Sequence, residues 1–112
     1  MVIDNEESIL DIISIILKQA THDVITHLEA PKFPFKHAIP DLIILDIGHN
    51  NKRNKEYFDF LKANGSTLKI PIILTSTLSG LKSVAKNWNA DAYLSKPFDI
   101  DFLVFKVNSL LI

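Results

Sequence analysis

The sequence predicts an α/β fold in which helices cover both faces of a doubly wound, five-stranded parallel sheet. Short apolar runs alternate with longer amphipathic segments along the chain. The short runs are apolar throughout rather than at every second position, which is typical of strands buried on both faces. Such alternation indicates right-handed βαβ units. At 112 residues with 47% hydrophobic content, the chain is expected to form one domain over residues 1–112.

Five apolar segments are predicted to be the strands. The second is rich in β-branched residues, which favour extended backbone, and the third is continuously apolar. The predicted strands are residues 2–3, 23–27, 42–45, 70–74 and 92–94.

Two helices are predicted in the first half of this alternation. Over residues 7–20, polar side chains recur at steps of three and four, so one narrow stripe of the helix is expected to be exposed to solvent and the rest to be buried. The stripe expected to be exposed consists of Glu7, Asp11, Ser14 and Lys18. Residues 57–64 predict a short helix that ends at Gly65 as a left-handed cap. Three prolines interrupt residues 31–40, where a degraded crossover helix of at most a turn or two is expected.

Two further helices are predicted towards the end of the chain. One covers residues 80–88, with Asn89 as a left-handed cap. Asp99 is expected to open the last helix, whose predicted buried stripe is Ile100, Leu103, Val107 and Leu111. Phe102 and Phe105 lie to one side of that stripe, where they would either pack at the edge of the core or form a partner or dimer surface.

Composition excludes several classes of function. Twelve Lys and Arg against thirteen Asp and Glu leave a net charge of -1, so we expect no direct binding of nucleic acid and no binding to an anionic membrane. The chain has no cysteine and only three scattered glycines, which argues against thiol chemistry and a glycine-rich phosphate loop. No secretory signal or spanning segment is evident, so a cytoplasmic location is expected.

Polar residues collect where the predicted strands end. In open parallel sheets, ligands bind beyond the carboxyl ends of the strands. The residues at those ends are Asp4, Asn5, Asp46, Thr75, Ser76 and Lys96. Two carboxylates can hold Mg²⁺, one of them can act as a nucleophile, and an ammonium with a hydroxyl can neutralise charge on a transferred phosphoryl group. This pattern favours phosphoryl chemistry.

The chain resembles the receiver domains of response regulators, which act in two-component phosphorelay signal transduction. The matching segments are residues 2–10, 40–46, 71–76 and 90–98. The resemblance implies a flavodoxin-like sheet of order 2-1-3-4-5 and a signalling domain, not an enzyme beyond its own phosphorylation and dephosphorylation. It implies a phosphoryl donor, either a histidine kinase or a histidine phosphotransfer protein. The output would be a downstream protein target or an output domain outside this sequence.

The resemblance also implies a role for each residue of the site. Asp46 would be the phospho-acceptor, and Mg²⁺ the cofactor. The implied metal ligands are Asp4, Asn5, Asp46 and the backbone carbonyl of Gly48. The groups implied to stabilise the phosphoryl group are Thr75, Ser76 and Lys96. Thr75 and Tyr93 would be the switch residues, and a cis peptide would join Lys96 to Pro97. Phosphorylation would switch the face formed by the fourth helix, the fifth strand and the last helix.

Two departures from the family keep a second hypothesis open. The family's second acidic metal ligand is Asn5 here, which lowers the charge available to Mg²⁺, although Asn5 could also cap the first helix. After Asp46, residues 49–55 predict a polar, mobile loop, with His49 near the phospho-acceptor. The alternative is a degenerate receiver that acts as a phosphorylation-independent interaction module. An aspartate-dependent phosphatase is disfavoured, because Gly48 stands where its general acid would be needed.

Overall fold

The computed structural model describes residues 1–32, 39–48 and 52–111. It contains five parallel strands and four helices within those residues. The strands are β1 (Val2–Ile3), β2 (Thr26–His27), β3 (Ile43–Asp46), β4 (Ile72–Ser76) and β5 (Ala92–Ser95). The helices are α1 (Glu7–Gln19), α2 (Lys52–Ala63), α3 (Leu81–Trp88) and α4 (Ile100–Leu110).

The strand order is β2-β1-β3-β4-β5, and every pair is parallel. The predicted fold class and strand order are therefore confirmed. The chain first moves from β1 outwards to β2 and then continues from β3 on the other side of β1. This reversal puts the topological switch point between β1 and β3, where open α/β sheets bind their ligands.

Each face of the sheet carries its own apolar core. On one face, side chains of the central strands pack under α2 and α3, with Phe58, Leu61, Leu81 and Ala85 as the buried helix residues. On the other face they pack under α1 and α4, through Leu10, Ile13, Leu103 and Val107. The central strands are buried on both sides because successive side chains point to opposite faces, which explains their uninterrupted apolar sequence.

Helix α1 begins where it was predicted, but it buries a narrower face than expected. Leu10, Ile13 and Leu17 point into the core, whereas Ile12 and Ile15 are 50% and 58% exposed. Successive residues turn by about 100° around a helix, so Ile12 lies well away from the direction in which Ile13 points. The prediction that everything outside the polar stripe is buried was wrong at these two positions.

Helix α2 starts five residues earlier than predicted. Residues 52–55, which were expected to belong to a loop, form its first turn, while residues 49–51, including His49, lie outside the described residues. The turn forms because the buried side chain of Asn54 donates a hydrogen bond of 2.5 Å to the backbone carbonyl of Asp46. A tertiary contact of this kind can stabilise a helical turn in a polar segment whose own sequence favours a helix only weakly.

The predicted left-handed cap at Gly65 was also wrong. Among the described glycines, only Gly48 has a positive φ, of 55°. The end of α2 is instead held by the hydroxyl of Thr67, which donates to the carbonyl of Leu61 at 2.7 Å. This bond satisfies one of the carbonyls that every helix C-terminus leaves without an intrahelical partner.

The ends of α3 and α4 agree better with the sequence. Asn89 caps α3 with a φ of 60°, and Asp99 caps α4 by accepting the N–H groups of Asp101 and Phe102. Ile100 was expected to be buried and is 54% exposed, because α4 meets the core only from Leu103 onwards. Phe102 and Phe105 are both exposed and stack on each other with ring centroids 6.5 Å apart.

The degraded crossover helix was predicted over residues 31–40, of which residues 33–38 lie outside the described residues. The flanking residues 31, 32, 39 and 40 are neither helix nor strand. Within the described part of the chain, no helix has both the length and the apolar character needed to cross a membrane.

Candidate functional site

Four strand ends place the predicted site residues at one edge of the sheet. Register pairs Asp46 with Thr75 and Ser76 with Ser95 across neighbouring strands. Ile3 pairs with Leu45, so the residues that follow them, Asp4 and Asp46, lie side by side. The structure therefore brings together residues that are up to 92 positions apart in the chain.

The centre of the site is the ammonium group of Lys96. Its Nζ lies 2.6 Å from Oδ2 of Asp4 and 3.3 Å from Oδ1 of Asp46. The side chains of Lys96 and Asp46 are each only 9% exposed, and that of Asp4 is 2% exposed. Water therefore screens these charges weakly, and a cation held between two carboxylates offsets part of the cost of burying them.

Backbone groups orient both carboxylates. The N–H of Glu6 donates to Oδ1 of Asp4 at 2.9 Å, and the N–H of Gly48 donates a longer bond of 3.4 Å to Oδ1 of Asp46. Glu6 is also the N-cap residue of α1, without a side-chain cap. The N-cap position belongs to Glu6 and not to Asn5, so the suggestion that Asn5 caps this helix was wrong.

The environment shifts the pKa of two of these groups. Burial raises the pKa of the Asp46 carboxyl above its usual value, and the nearby charge of Asp4 raises it further, against the lowering effect of Lys96. Burial lowers the pKa of Lys96, but its hydrogen bond to Asp4 and the charge of Asp46 outweigh this, so the net shift is upwards. Lys96 thus stays cationic, and the ionised Asp46 is more basic than an ordinary aspartate.

The two hydroxyl residues at the end of β4 lie in different surroundings. Thr75 is buried directly beside Asp46 in the sheet register. The hydroxyl of Ser76 donates to the carbonyl of Gly48 at 2.6 Å and accepts the N–H of Leu78 at 2.9 Å. Ser76 therefore ties the turn after β3 to the end of β4.

The remaining predicted site residues differ in their surroundings. Asn5 is exposed beside Asp4. Tyr93 is half-buried and packs against the core under α2 and α3. The peptide bond between Lys96 and Pro97 is cis, as the resemblance implied.

Sequence reasoning missed one residue that contacts the site. Asn54 is buried, and its side-chain amide binds the backbone carbonyl of Asp46. It stands in a run of polar residues, where nothing separates it from its neighbours Arg53 and Lys55. The only usable signal is its distance of eight residues from the phospho-acceptor candidate, which is compatible with a helix that folds back onto the strand end.

The oxygen donors at this edge fit a hard divalent cation in their chemistry. Asp4 and Asp46 supply carboxylates and the backbone of Gly48 a neutral carbonyl oxygen, and the exposed Asn5 next to Asp4 carries a second neutral oxygen; these are the ligand types that Mg²⁺ takes. Oδ2 of Asp46 accepts no hydrogen bond from any residue in the described ranges. Within the described residues, no three His, Cys, Asp or Glu side chains form a metal-binding group.

Comparison with known proteins supports the same family. The chain is 29% identical over 115 residues to the DNA-binding dual master transcriptional regulator RpaA of Synechocystis, and the match covers 99% of this chain. It covers 48% of RpaA, so the chain spans about half the length of that relative. No family model matches the chain.

Solved structures agree with this similarity. The receiver domain of DrrB, in its BeF3-activated form, is 28% identical with a TM-score of 0.81, over 98% of this chain and 93% of DrrB's. DrrB is a response regulator of Thermotoga maritima. A response regulator from Chloroflexus aurantiacus superposes with a TM-score of 0.85 over 98% of this chain and 93% of its own, at 21% identity. That match shows the fold alone. In sequence and in fold, the chain is therefore similar to the receiver domains of response regulators.

Proposed function

We propose that residues 1–112 form one phospho-accepting receiver domain, in which Asp46 takes a phosphoryl group from a phosphohistidine of a partner protein. The observation that carries this proposal is the buried ammonium of Lys96, 2.6 Å from Asp4 and 3.3 Å from Asp46. A phosphoryl group arriving between two bare carboxylates would be repelled, whereas a fixed cation offsets that repulsion. Such a domain is a signalling component rather than a classical enzyme.

The protein would promote the transfer mainly by positioning the reacting groups and by stabilising their charge. A carboxylate oxygen of Asp46 attacks phosphorus as the P–N bond of the phosphohistidine breaks, and the departing imidazole keeps the electron pair and its proton. The upward shift of the Asp46 pKa, caused by burial and by Asp4, makes this oxygen a better nucleophile when ionised. Lys96 and Thr75 then face the new charge on the equatorial oxygens.

We propose Mg²⁺ as the cofactor, held by Asp4, Asp46, the Gly48 carbonyl and the Asn5 amide. When bound, it would neutralise part of the charge on the phosphoryl oxygens. Ser76 already donates to the Gly48 carbonyl, whose second lone pair remains available. Ser76 would thereby fix this ligand in place and contact the phosphoryl group from the same side.

The output of the proposed reaction is a shift between two populated states. Phosphorylation adds negative charge and acceptor oxygens beside Thr75. We infer that Thr75 and Lys96 follow this charge and that half-buried Tyr93 turns inwards, which alters the face formed by α3, β5 and α4. The proposed partners are a histidine kinase or histidine phosphotransfer protein in the cytoplasm, and a protein target or output domain that responds to this face.

Intact-mass spectrometry tests the proposal directly. The protein is incubated with Mg²⁺ and acetyl phosphate, and we expect one added phosphate per chain. Asp46→Asn should abolish the addition, while Asp59→Asn, which changes an exposed aspartate on α2, should leave it intact. Absence of the added phosphate from the unchanged protein, or its persistence in Asp46→Asn, would overturn the assignment.

One observation favours the second candidate, a degenerate receiver that binds partners without phosphorylation. Asn5 supplies an uncharged donor and is exposed, so the site has one negative charge fewer than the family pattern. Amide NMR during titration with beryllofluoride and Mg²⁺ separates the two candidates. Shifts at Thr75 and Tyr93 support the phospho-switch, and their absence at millimolar metal supports the degenerate receiver.

A further inference from the structure

The contacts of Asn54 connect the phospho-acceptor strand to a helix that the sequence did not link to it. Asn54 lies in the first turn of α2, is buried, and donates its side-chain amide to the backbone carbonyl of Asp46 at 2.5 Å. A bond between two groups removed from water is costly to break without a replacement partner. A displacement of Asp46 therefore carries the first turn of α2 with it.

The next residue extends this connection to α3. Nζ of Lys55 lies 4.7 Å from the ring centroid of Trp88 and 5.9 Å from that of Phe58. The two rings contact each other at 5.3 Å, tilted by 50°, and the same ammonium pairs with Asp59 at 2.5 Å. Trp88 is the last residue of α3. The ammonium therefore sits at the junction of α2 and α3 and is attracted to the faces of both rings.

A second connection reaches α3 through the chain itself. Thr75 and Ser76 end β4, and α3 begins at Leu81 after a short segment. Leu81 and Ala85 pack in the same apolar core as Phe58. The beginning of α3 thus follows the chain from Thr75, while its end, at Trp88, is held by Lys55 and Phe58 from α2.

We propose that Asn54 and Lys55 are positioning residues that couple Asp46 to the C-terminal end of α3 through the first turns of α2. This coupling rests on the proposed phospho-switch and adds to it a path that does not pass through Thr75 or Tyr93. Both contacts come from the same turn at the start of α2: Asn54 binds the phospho-acceptor strand, and its neighbour Lys55 contacts Trp88. A perturbation of Asp46 changes the surroundings of the indole ring.

The fluorescence of Trp88 tests the coupling, because it is the only tryptophan of the chain. The protein is titrated with beryllofluoride and Mg²⁺, with ¹⁹F NMR reporting bound beryllofluoride and Trp88 emission reporting α3. We expect emission to change in step with binding. Asn54→Ala and Lys55→Met should retain binding but lose more than half of the emission change. Lys52→Met, at an exposed lysine of the same turn, should keep both.

A measurement without ligand separates this inference from the proposed function. Asp46→Asn alone should change Trp88 emission, and the change should vanish in the Asn54→Ala background. Failure of beryllofluoride to bind, with this ligand-free coupling intact, would reject the phospho-switch and leave the coupling standing. Bound beryllofluoride with unchanged Trp88 emission, or an Asp46→Asn effect that survives Asn54→Ala, would overturn the coupling.

Discussion

At the scale of single residues, the ammonium of Lys96 stabilises the two buried carboxylates of the site. Its ammonium is the only described cation within 4 Å of Asp4 and Asp46. Two ionised carboxyl groups in a poorly hydrated site repel each other and lose hydration. The cation offsets both costs, so its removal should lower the free energy of unfolding.

Lys96→Met should therefore destabilise the protein by about 3 kcal/mol at neutral pH, the size seen when one partner of a buried ion pair is removed. Without the cation, burial and the charge of Asp4 still raise the folded-state pKa of Asp46, so the loss is full above that raised pKa and shrinks as the pH falls through it. Urea denaturation at pH 7 and pH 4.5 measures this. An equal loss at both pH values would contradict the electrostatic explanation, and exposed Lys86→Met serves as the control.

Asp46→Asn should have the opposite effect on stability. Burial and Asp4 raise the pKa of Asp46 in the folded state, so its ionised form opposes folding above the unfolded pKa. We expect the asparagine variant to be more stable at pH 7 by roughly 1 kcal/mol, a common size for a single substitution. The gain should fall towards zero as the pH drops through the raised pKa. Thermal denaturation from pH 4 to 7 measures how this stability gain depends on pH. A gain that increases as the pH falls would contradict the prediction.

Tyr57 offers a test of a buried group outside the site. Its hydroxyl is buried and has no hydrogen-bond partner among the residues that the structure describes, and burial raises its pKa to about 12. Tyr57→Phe removes the unsatisfied group and keeps the ring, so the free energy of unfolding should rise by about 1 kcal/mol. Urea denaturation measures the change against Tyr93→Phe, at a half-buried ring. A less stable Tyr57→Phe variant would mean that the hydroxyl has a partner in solution.

At the scale of elements, the sequence predicted best where local chemistry alone decides the structure. The left-handed cap at Asn89 and the side-chain cap at Asp99 are properties of a few neighbouring residues, and both were confirmed. The start of α2 and the end of α2 were misjudged because they depend on the contact of Asn54 with Asp46 and the bond from Thr67. Ile12 and Ile15 were misjudged for a related reason, since a sequence rich in isoleucine does not show which direction faces the core.

The cap at Asp99 carries a prediction at this scale. Its carboxylate accepts the N–H of Asp101 at 2.8 Å and that of Phe102 at 3.3 Å. Asp99→Ala should lower the free energy of unfolding by about 1 kcal/mol, whereas Asp99→Asn, an equally good N-cap, should change it little. Chemical denaturation of both variants distinguishes a cap from a simple charge effect, because a charge effect would destabilise both alike.

At the scale of the whole molecule, the candidate site is predictable because topology creates it. Once the strands are parallel, their carboxyl ends share one edge, and the residues that follow them must meet there. The pairing of Lys96 with Asp4, 92 residues away, follows from this rule together with the family resemblance. The contacts of Asn54 with Asp46 and of Ser76 with Gly48 did not follow, since they depend on the path of the segment after β3, for which the sequence has no strong local signal.

If Mg²⁺ binds at this edge as proposed, it would stabilise the whole fold, and the side chain at position 5 would set how strongly. Asn5→Asp adds a carboxylate beside Asp4, and affinity for Mg²⁺ rises with the charge of the ligands. A ligand that binds only the folded state stabilises it by RT ln(1 + [L]/Kd), so a roughly tenfold gain in affinity adds about 1.4 kcal/mol at saturating Mg²⁺. We expect the melting temperature of Asn5→Asp to rise more steeply with Mg²⁺ than that of the unchanged protein, and the difference to disappear in EDTA.

Asn108→Asp, far from this edge on α4, is the matched control. Identical Mg²⁺ dependence in all three proteins would show that the side chain at position 5 does not reach the cation.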